Sequence, residues 1–510
     1  MIKRLSFMVL VAWLAAVTAV AAPLEPGLVA QVHFAGGDAV SADPNSAALK
    51  YLWTSPEALA LRAQTLDKLA RSLDGWLRQQ IAPNLAGPLP LRALLGDMTA
   101  AEWQLELREP APGEVAFALA VRLDNERAKQ WQTDLTPLCK AWEAASPAHH
   151  AGIFLSRNWL LLQIGNTPMP NPSGSIPSLK STWLAAEFDW SRLSQLFPDL
   201  VKLDLPQTRL LVSGRDGNFQ VDAKFRLAQP LPAVGQWQIP AESIHSPLTS
   251  FTAARGISSW LSQQPWVVAL GLAALPDQIF TWSTPAMPFQ TYAAVPLPSA
   301  PAALPKINQA LDTFFHGSTN SPYKGFRINA TGDRIAVTGM PLISPYFEAR
   351  RQVAGEFLMA GFFPAVVGGK PVPPDLLSQL NQPHLLYYDW DSTSARLKAF
   401  PELYQLLFVV SRHRQLDVAS AAGKWLGQIG PSLGTTVTGA TLTAPDEITL
   451  SRKARAGLTA AELVALASWL EAPNFPGCDL RLPPFKRIIR PHASAPGKVL
   501  GTNAPFPLHH

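Results

Sequence analysis

Glu187-Phe188-Asp189-Trp190 leads into Arg192-Leu193 and then Phe197-Pro198-Asp199-Leu200, while Tyr387-Tyr388-Asp389-Trp390 leads into Arg396-Leu397 and then Phe400-Pro401-Glu402-Leu403. Order, chemistry and near-spacing agree, so the chain reads as one unit written twice, and a duplicated unit predicts two similar lobes before any element is assigned. The flanking sequence extends the match. Gly152 and Gly325 bound the start of two hairpins, and Gly165 and Gly339 bound their ends, at separations of 173 and 174 residues. Between Asp189 and Asp389 the separation is 200, so about 26 residues are gained in the second unit, within 345–374.

Within each unit the pattern mixes helix and hairpin. Ser55-Pro56-Glu57 is a helix start, with a side-chain cap followed by proline at the first helical position, and Leu59, Leu66, Leu69, Leu73, Trp76 and Leu77 follow at helical spacing. Strand alternation comes next at Trp103, Leu105 and Leu107, then at Val115 through Leu123. A second amphipathic helix carries Trp131, Leu135, Leu138 and Trp142. Hairpins turn near Arg157-Asn158, near Asp216-Gly217 and near Gly332-Asp333, and Thr459-Ala460-Ala461-Glu462 is a capping box that opens the last helix. The expected fold class is therefore α+β: two similar tandem lobes, each an antiparallel sheet with helices packed on one face. The expected boundaries are a leader over 1–21, lobes over 30–232 and 246–472 joined by a Pro-rich linker over 228–247, and a Pro-rich basic tail over 473–510. This layout resembles the exported tandem-repeat α+β proteins of bacteria known only as domains of unknown function, a resemblance that implies the architecture and carries no catalytic residues.

Lys3 and Arg4 precede an apolar run over 5–20, and Ala19-Val20-Ala21 offers small residues at a cleavage site. These features predict a signal peptide cut after Ala21 and a periplasmic or secreted product with no transmembrane span. The formal charge of +5 falls to +3 once Lys3 and Arg4 are removed, too little to infer a nucleic-acid partner. Charged residues are 15% of the chain against roughly 25% in an average protein, which favours a substantial buried core. Only Cys139 and Cys478 are present, so no disulfide framework or Cys-rich zinc site exists. An exported chain allows these two to pair and clip the tail; two unrelated thiols are the other reading.

Catalytic signatures are sparse. Gly430-Pro431-Ser432-Leu433-Gly434 fits the G-x-S-x-G spacing, but a nucleophile elbow needs a strand before the serine and a helix after it, and here helix precedes strand. Ser321-Pro322-Tyr323-Lys324 lacks the helix that would aim the lysine. His149-His150 has no third ligand at a recognisable spacing, and no sequence signature calls for a cofactor. Asp189 and Asp389 read as helix caps at strand ends. The added segment carries Phe347, Phe357, Met359, Phe362 and Phe363, an apolar set present in one unit only; it reads either as an extra helix folded into the core of its own lobe or as a partner surface, and as a partner surface its removal is expected to spare both lobes. Together these readings favour an exported, non-enzymatic binding or structural protein of the cell envelope, its partner an envelope protein or an extended ligand. The alternatives are an exported hydrolase with its site between the lobes, and attachment to an anionic envelope surface through the basic tail.

Overall fold

Local chemistry sets the element starts in the computed structural model, which describes residues 27–80, 89–145, 150–165, 182–197, 205–285, 290–317, 325–340, 343–363, 370–372, 374–402 and 416–477. The helices used below are α1 (Ala47–Thr54), α2 (Pro56–Gln80), α3 (Leu91–Ala100), α4 (Asn125–Ala145), α5 (Trp190–Leu196), α6 (Ala300–His316), α7 (Thr393–Lys398), α8 (Ala421–Ile429) and α9 (Ala460–Glu471). Ser55 Oγ accepts the Ala58 N–H at 3.2 Å at the head of α2, and Thr459 and Glu462 form the reciprocal capping box of α9. None of the described helices is long and apolar enough to cross a membrane.

The first half contributes β1 (Leu28–Phe34), β2 (Trp103–Arg108), β3 (Ala116–Arg122), β4 (Ala151–Ser156), β5 (Trp159–Ile164), β6 (Thr182–Phe188), β7 (Gln207–Arg215) and β8 (Asn218–Arg226). The second contributes β9 (His245–Ser246), β10 (Ser250–Arg255), β11 (Gln278–Ser283), β12 (Thr291–Pro296), β13 (Arg327–Thr331), β14 (Arg334–Thr338), β15 (Tyr346–Gln352), β16 (Gly355–Gly361), β17 (Lys370–Pro371), β18 (Leu385–Asp391), β19 (Thr436–Ala444) and β20 (Glu447–Ala454). Tight turns join the hairpins, and at the β7–β8 turn both Asp216 and Gly217 have positive φ, 52° and 70°, as a two-residue turn matching the strand twist requires.

All strands but β9 and β17 form one 18-stranded sheet. Its order, read from the antiparallel pairings, is β4-β5-β3-β2-β1-β6-β7-β8 in the first half. It continues β20-β19-β18-β10-β11-β12-β16-β15-β14-β13 in the second. The joint is β8 against β20, where Arg226 faces Glu447 and Phe219 faces Ala454. Two separate sheets were expected; one continuous sheet is found. The physical reason is that the last strand of each half has a free edge of N–H and C=O groups, and each edge satisfies the other.

Side-chain alternation carried through the registers gives the sheet two faces. On one face α2, α3 and α4 cover Leu105, Leu119 and Leu160, and α6 covers Ile335, Phe347 and Leu358. A helical cluster built from Leu52 and Leu61 of the first half and Leu426, Ile429 and Ala467 of the second ties the halves together. On the opposite face of the second half, Phe251, Phe280, Trp282, Tyr292 and Met359 pack beneath Trp237, Ile239 and Ile244. The expected Pro-rich linker is a packed strap, stapled by β9–β17 pairing and by Ser243 Oγ, which accepts from Gln352 Nε2 at 2.7 Å.

The segment expected as an addition to the second half contains a hairpin that lies within the sheet. In the first half β3 pairs directly with β5; in the second, β15 and β16 lie between β12 and β14. Phe357 and Met359 are core residues, whereas Phe347, Phe362 and Phe363 are half-buried. The two quoted Asp-Trp pairs also differ in setting. Trp190 is the first residue of α5, while Trp390 lies inside β18.

Two predictions follow from this packing. Replacing 346–370 by a short Gly/Ser linker removes Tyr346, Phe357 and Met359, each nearly fully buried and each worth roughly 1.5–3 kcal/mol of apolar burial, so the denaturation midpoint should fall sharply; an unchanged midpoint would contradict the intercalated hairpin. Burial pushes the Tyr346 phenol up to about 12, and burial likewise raises Tyr387 and Tyr388. An unfolded tyrosine ionises near 10, so the stabilisation is complete below pH 10 and is lost as pH rises from 10 through 12, by roughly 2–3 kcal/mol for Tyr346. Urea unfolding between pH 9 and pH 12 measures it, and a flat profile would count against the buried phenols.

Candidate functional site

The two quoted aspartates have different surroundings. Asp189 caps α5, accepting the Arg192 N–H at 3.2 Å and the Ser191 hydroxyl at 2.6 Å, as expected. Asp389 does not open a helix: it lies within β18, buried, and accepts the Thr252 hydroxyl at 2.6 Å. The helix that follows is instead preceded by Ser392, and the buried Asp391 accepts the Thr393 hydroxyl at 2.9 Å and the Ala460 N–H at 3.3 Å. The strand simply runs three residues further before its helix begins.

Asp389 belongs to a polar ladder on the helix-covered face of the second half. Thr252 faces Asp389, which faces Thr438, which faces Arg452 across successive strands. Arg452 Nε donates to Thr438 Oγ1 at 2.9 Å, and its two terminal nitrogens donate to the two carboxylate oxygens of Glu462 on α9 at 2.8 and 3.0 Å. Burying such groups is tolerable only when they are bonded. The ladder pins α9 and its capping box onto the sheet, and its chemistry is that of a clamp.

The other sequence candidates are dispersed. Ser432 ends a short 3-10 turn between α8 and β19, and its hydroxyl donates to the Ile429 carbonyl at 2.8 Å, the helix-to-strand order that the sequence predicts. Ser321, Lys324, His149 and Cys478 lie outside the described residues, as do the leader and the tail beyond residue 477. Cys139 is buried in α4, where burial, followed by the nearby Glu143 carboxylate, pushes its thiol pKa up. A thiol so shifted stays protonated and is a poor nucleophile. Among the described residues no group of three or more His, Cys, Asp and Glu side chains is arranged to hold a metal ion. Where the two halves meet, β8 and β20 are hydrogen-bonded neighbours.

One open cleft of about 800 Å³ lies at the outer end of the sheet in the first half, between α4 and β4. Gln132, Thr136, Lys140 and Glu143 line it from one stripe of α4, and Gly152 and Phe154 line it from the strand. A side chain at Gly152 would meet the Phe154 ring at 2.5 Å, so glycine lets the ring lie across the strand. Phe154 is 46% exposed and Leu155 40%. Glu143 reaches round the edge to accept the Ala151 N–H at 3.2 Å.

Edge strands in soluble proteins are commonly blunted by charge, proline or cover. β13, at the opposite end of the sheet, carries an exposed Arg327 and an exposed Asn329. β4, Ala151 through Ser156, carries neither charge nor proline. Sequence reasoning found this hairpin but not its position, since only non-local pairing decides which strand is outermost; the uncharged composition was the available signal.

Glu462→Ala should cost about 1.5–3 kcal/mol, the range for hydrogen bonds to charged groups, because Arg452 loses both Glu462 oxygens and keeps only Thr438 and the Gly457 carbonyl. Denaturant unfolding measures the loss, and a Glu462→Ala variant as stable as the parent would show that the clamp contributes nothing.

Compared with known proteins, the chain matches no family model, no curated protein and no solved structure.

Proposed function

We propose that the chain is an exported, non-enzymatic binding or structural protein of the cell envelope, built from two fused copies of one α+β unit, and that it engages another polypeptide chain through the outer edge of β4. The observation that carries the reading is the β4 edge, without charge or proline of its own and held by Glu143 at Ala151, with its exposed Phe154 and Leu155. A strand edge presents a row of main-chain donors and acceptors that another extended segment completes, and the neighbouring side chains set which segment fits. The engaged serine, the protonated cysteine and the bonded aspartates favour binding over catalysis. The leader favours export.

The duplication is supported by connectivity. The run β3-β2-β1-β6-β7-β8 has the same order as β12-β11-β10-β18-β19-β20. Asp189 N–H donates to the Val29 carbonyl, and Ser392 N–H donates to the Thr249 carbonyl, both at 2.9 Å. Gly36 and Gly256 have φ of 92° and 79° after the matching first strands. When the registers are carried outward, Asp222 and Ser451 fall at corresponding positions, and they face one another across the joint. Corresponding residues meeting in an antiparallel pair is the signature of a two-fold interface.

The experiment is capture from an envelope extract by the full-length mature protein against its Phe154→Lys variant. The reading expects a specific bound protein that is lost with the lysine while the fold, followed by circular dichroism, is retained. Equal capture by both proteins would overturn it.

A further inference from the structure

We infer that the partner at β4 is a second copy of this chain, joined strand to strand about a two-fold axis centred on Phe154. This inference rests on the reading of β4 as a contact edge and names its occupant. The direction of each main-chain group on β4 decides the register. Ser156 and Trp159 flank the two-residue turn, and Gly165 N–H donates to the His150 carbonyl at 2.7 Å. The even-numbered residues therefore direct their main-chain groups toward β5, and the odd-numbered ones direct theirs outward. Ala151 N–H, pointing outward, is already held by Glu143. Ile153 and Leu155 remain, and among the described residues β4 pairs with β5 alone.

An antiparallel copy centred on Phe154 opposes Ile153 to the partner's Leu155 and Leu155 to the partner's Ile153. Four main-chain hydrogen bonds result, and the Ala151–Glu143 bond is left intact. Phe154 then opposes the partner's Phe154 at a non-hydrogen-bonded pair, where Cα atoms are about 4.5 Å apart and side chains are closest. A ring now 46% exposed gains an aromatic neighbour. Charge permits the match, because β4 carries none and the charged residues flanking it, Lys140, Glu143 and Arg157, are of both signs. The same operation at β13 would bring exposed Arg327 side chains into one interface. The joint within the chain is an example of this geometry, since β8 and β20 already pair antiparallel with corresponding residues at the centre.

The test uses full-length mature protein. Sedimentation over a concentration series should show a dimer, and Phe154→Lys, which sets two ammonium groups against each other, should give a monomer with an unchanged circular dichroism spectrum. A second variant tests the register without relying on disruption. Phe154→Cys should form a disulfide to its own counterpart under mild oxidation, because the expected Cα separation suits one. Ser156→Cys should not, since its opposite residue is the partner's Gly152. A wild-type protein that stays monomeric throughout, a dimer that survives Phe154→Lys, or a dimer that cross-links through Ser156→Cys but not through Phe154→Cys would each overturn the inference. Monomeric protein that still captures an envelope protein in a Phe154-dependent way would overturn the second copy alone and leave the contact edge standing. Loss of both would overturn both.

Discussion

The backbone pairing of β8 with β20 is the interaction on which the rest of the architecture depends. Each half ends in a strand whose outer edge needs partners, and the eight facing positions from Glu447–Arg226 to Ala454–Phe219 supply them. Once the edges meet, Ala223 and Leu227 from one half pack with Ile448 and Leu450 from the other in a shared core. The helices then have a common floor, which is why Leu52 and Leu61 near the N-terminus pack with Ala460 and Leu463 near the end of the described chain. The joint also fixes what lies far away: with the inner edges spent on each other, the two remaining edges, β4 and β13, sit at opposite ends of one sheet.

The two halves differ in the polarity of their faces. On the helix-covered face the first half presents Val32, Leu105 and Ala186, whereas the second presents the bonded series Thr252, Asp389, Thr438 and Arg452. On the other face the pattern reverses: Gln31, Glu106 and Glu187 in the first half, against Phe251, Phe280 and Tyr388 in the second. The strap accounts for part of this. Residues 237–244 lie on the second half's apolar face and cover it, and the inserted hairpin widens the floor that the strap must span. Polar groups can then move to the helix side only as a fully bonded set, because a lone buried carboxylate or guanidinium is costly. Such a set specifies position more than it adds stability, and here it orients α9.

Local features were legible in the sequence and non-local ones were not. The Ser55 and Thr459 caps, the Asp216-Gly217 turn and the helix-to-strand order around Ser432 follow from residues within a few positions of one another, and each stands as read. The α+β class followed from the same signals. The single sheet did not, because no local pattern says that β8 meets β20 more than two hundred residues later. The alignment of Asp189 with Asp389 failed by three residues for a similar reason: the residue types match, but in the second half Asp389 and Trp390 belong to the strand, and the strand-to-helix turn comes at Ser392. Of the two readings of the added segment, surface and core helix, Phe357 and Met359 follow the core one, but as strands: a hairpin of the right length enters the sheet between existing neighbours.

Hydrogen exchange on the protein tests the continuous sheet most directly. If β8 and β20 are paired, the inward amides on both strands should exchange as slowly as those of β1 and β10 at the centre of each half, and they should be released together with them as denaturant rises. If β8 and β20 instead exchange as exposed edges, orders of magnitude faster than β1 and β10, the halves are separate sheets and the account given for the joint is wrong.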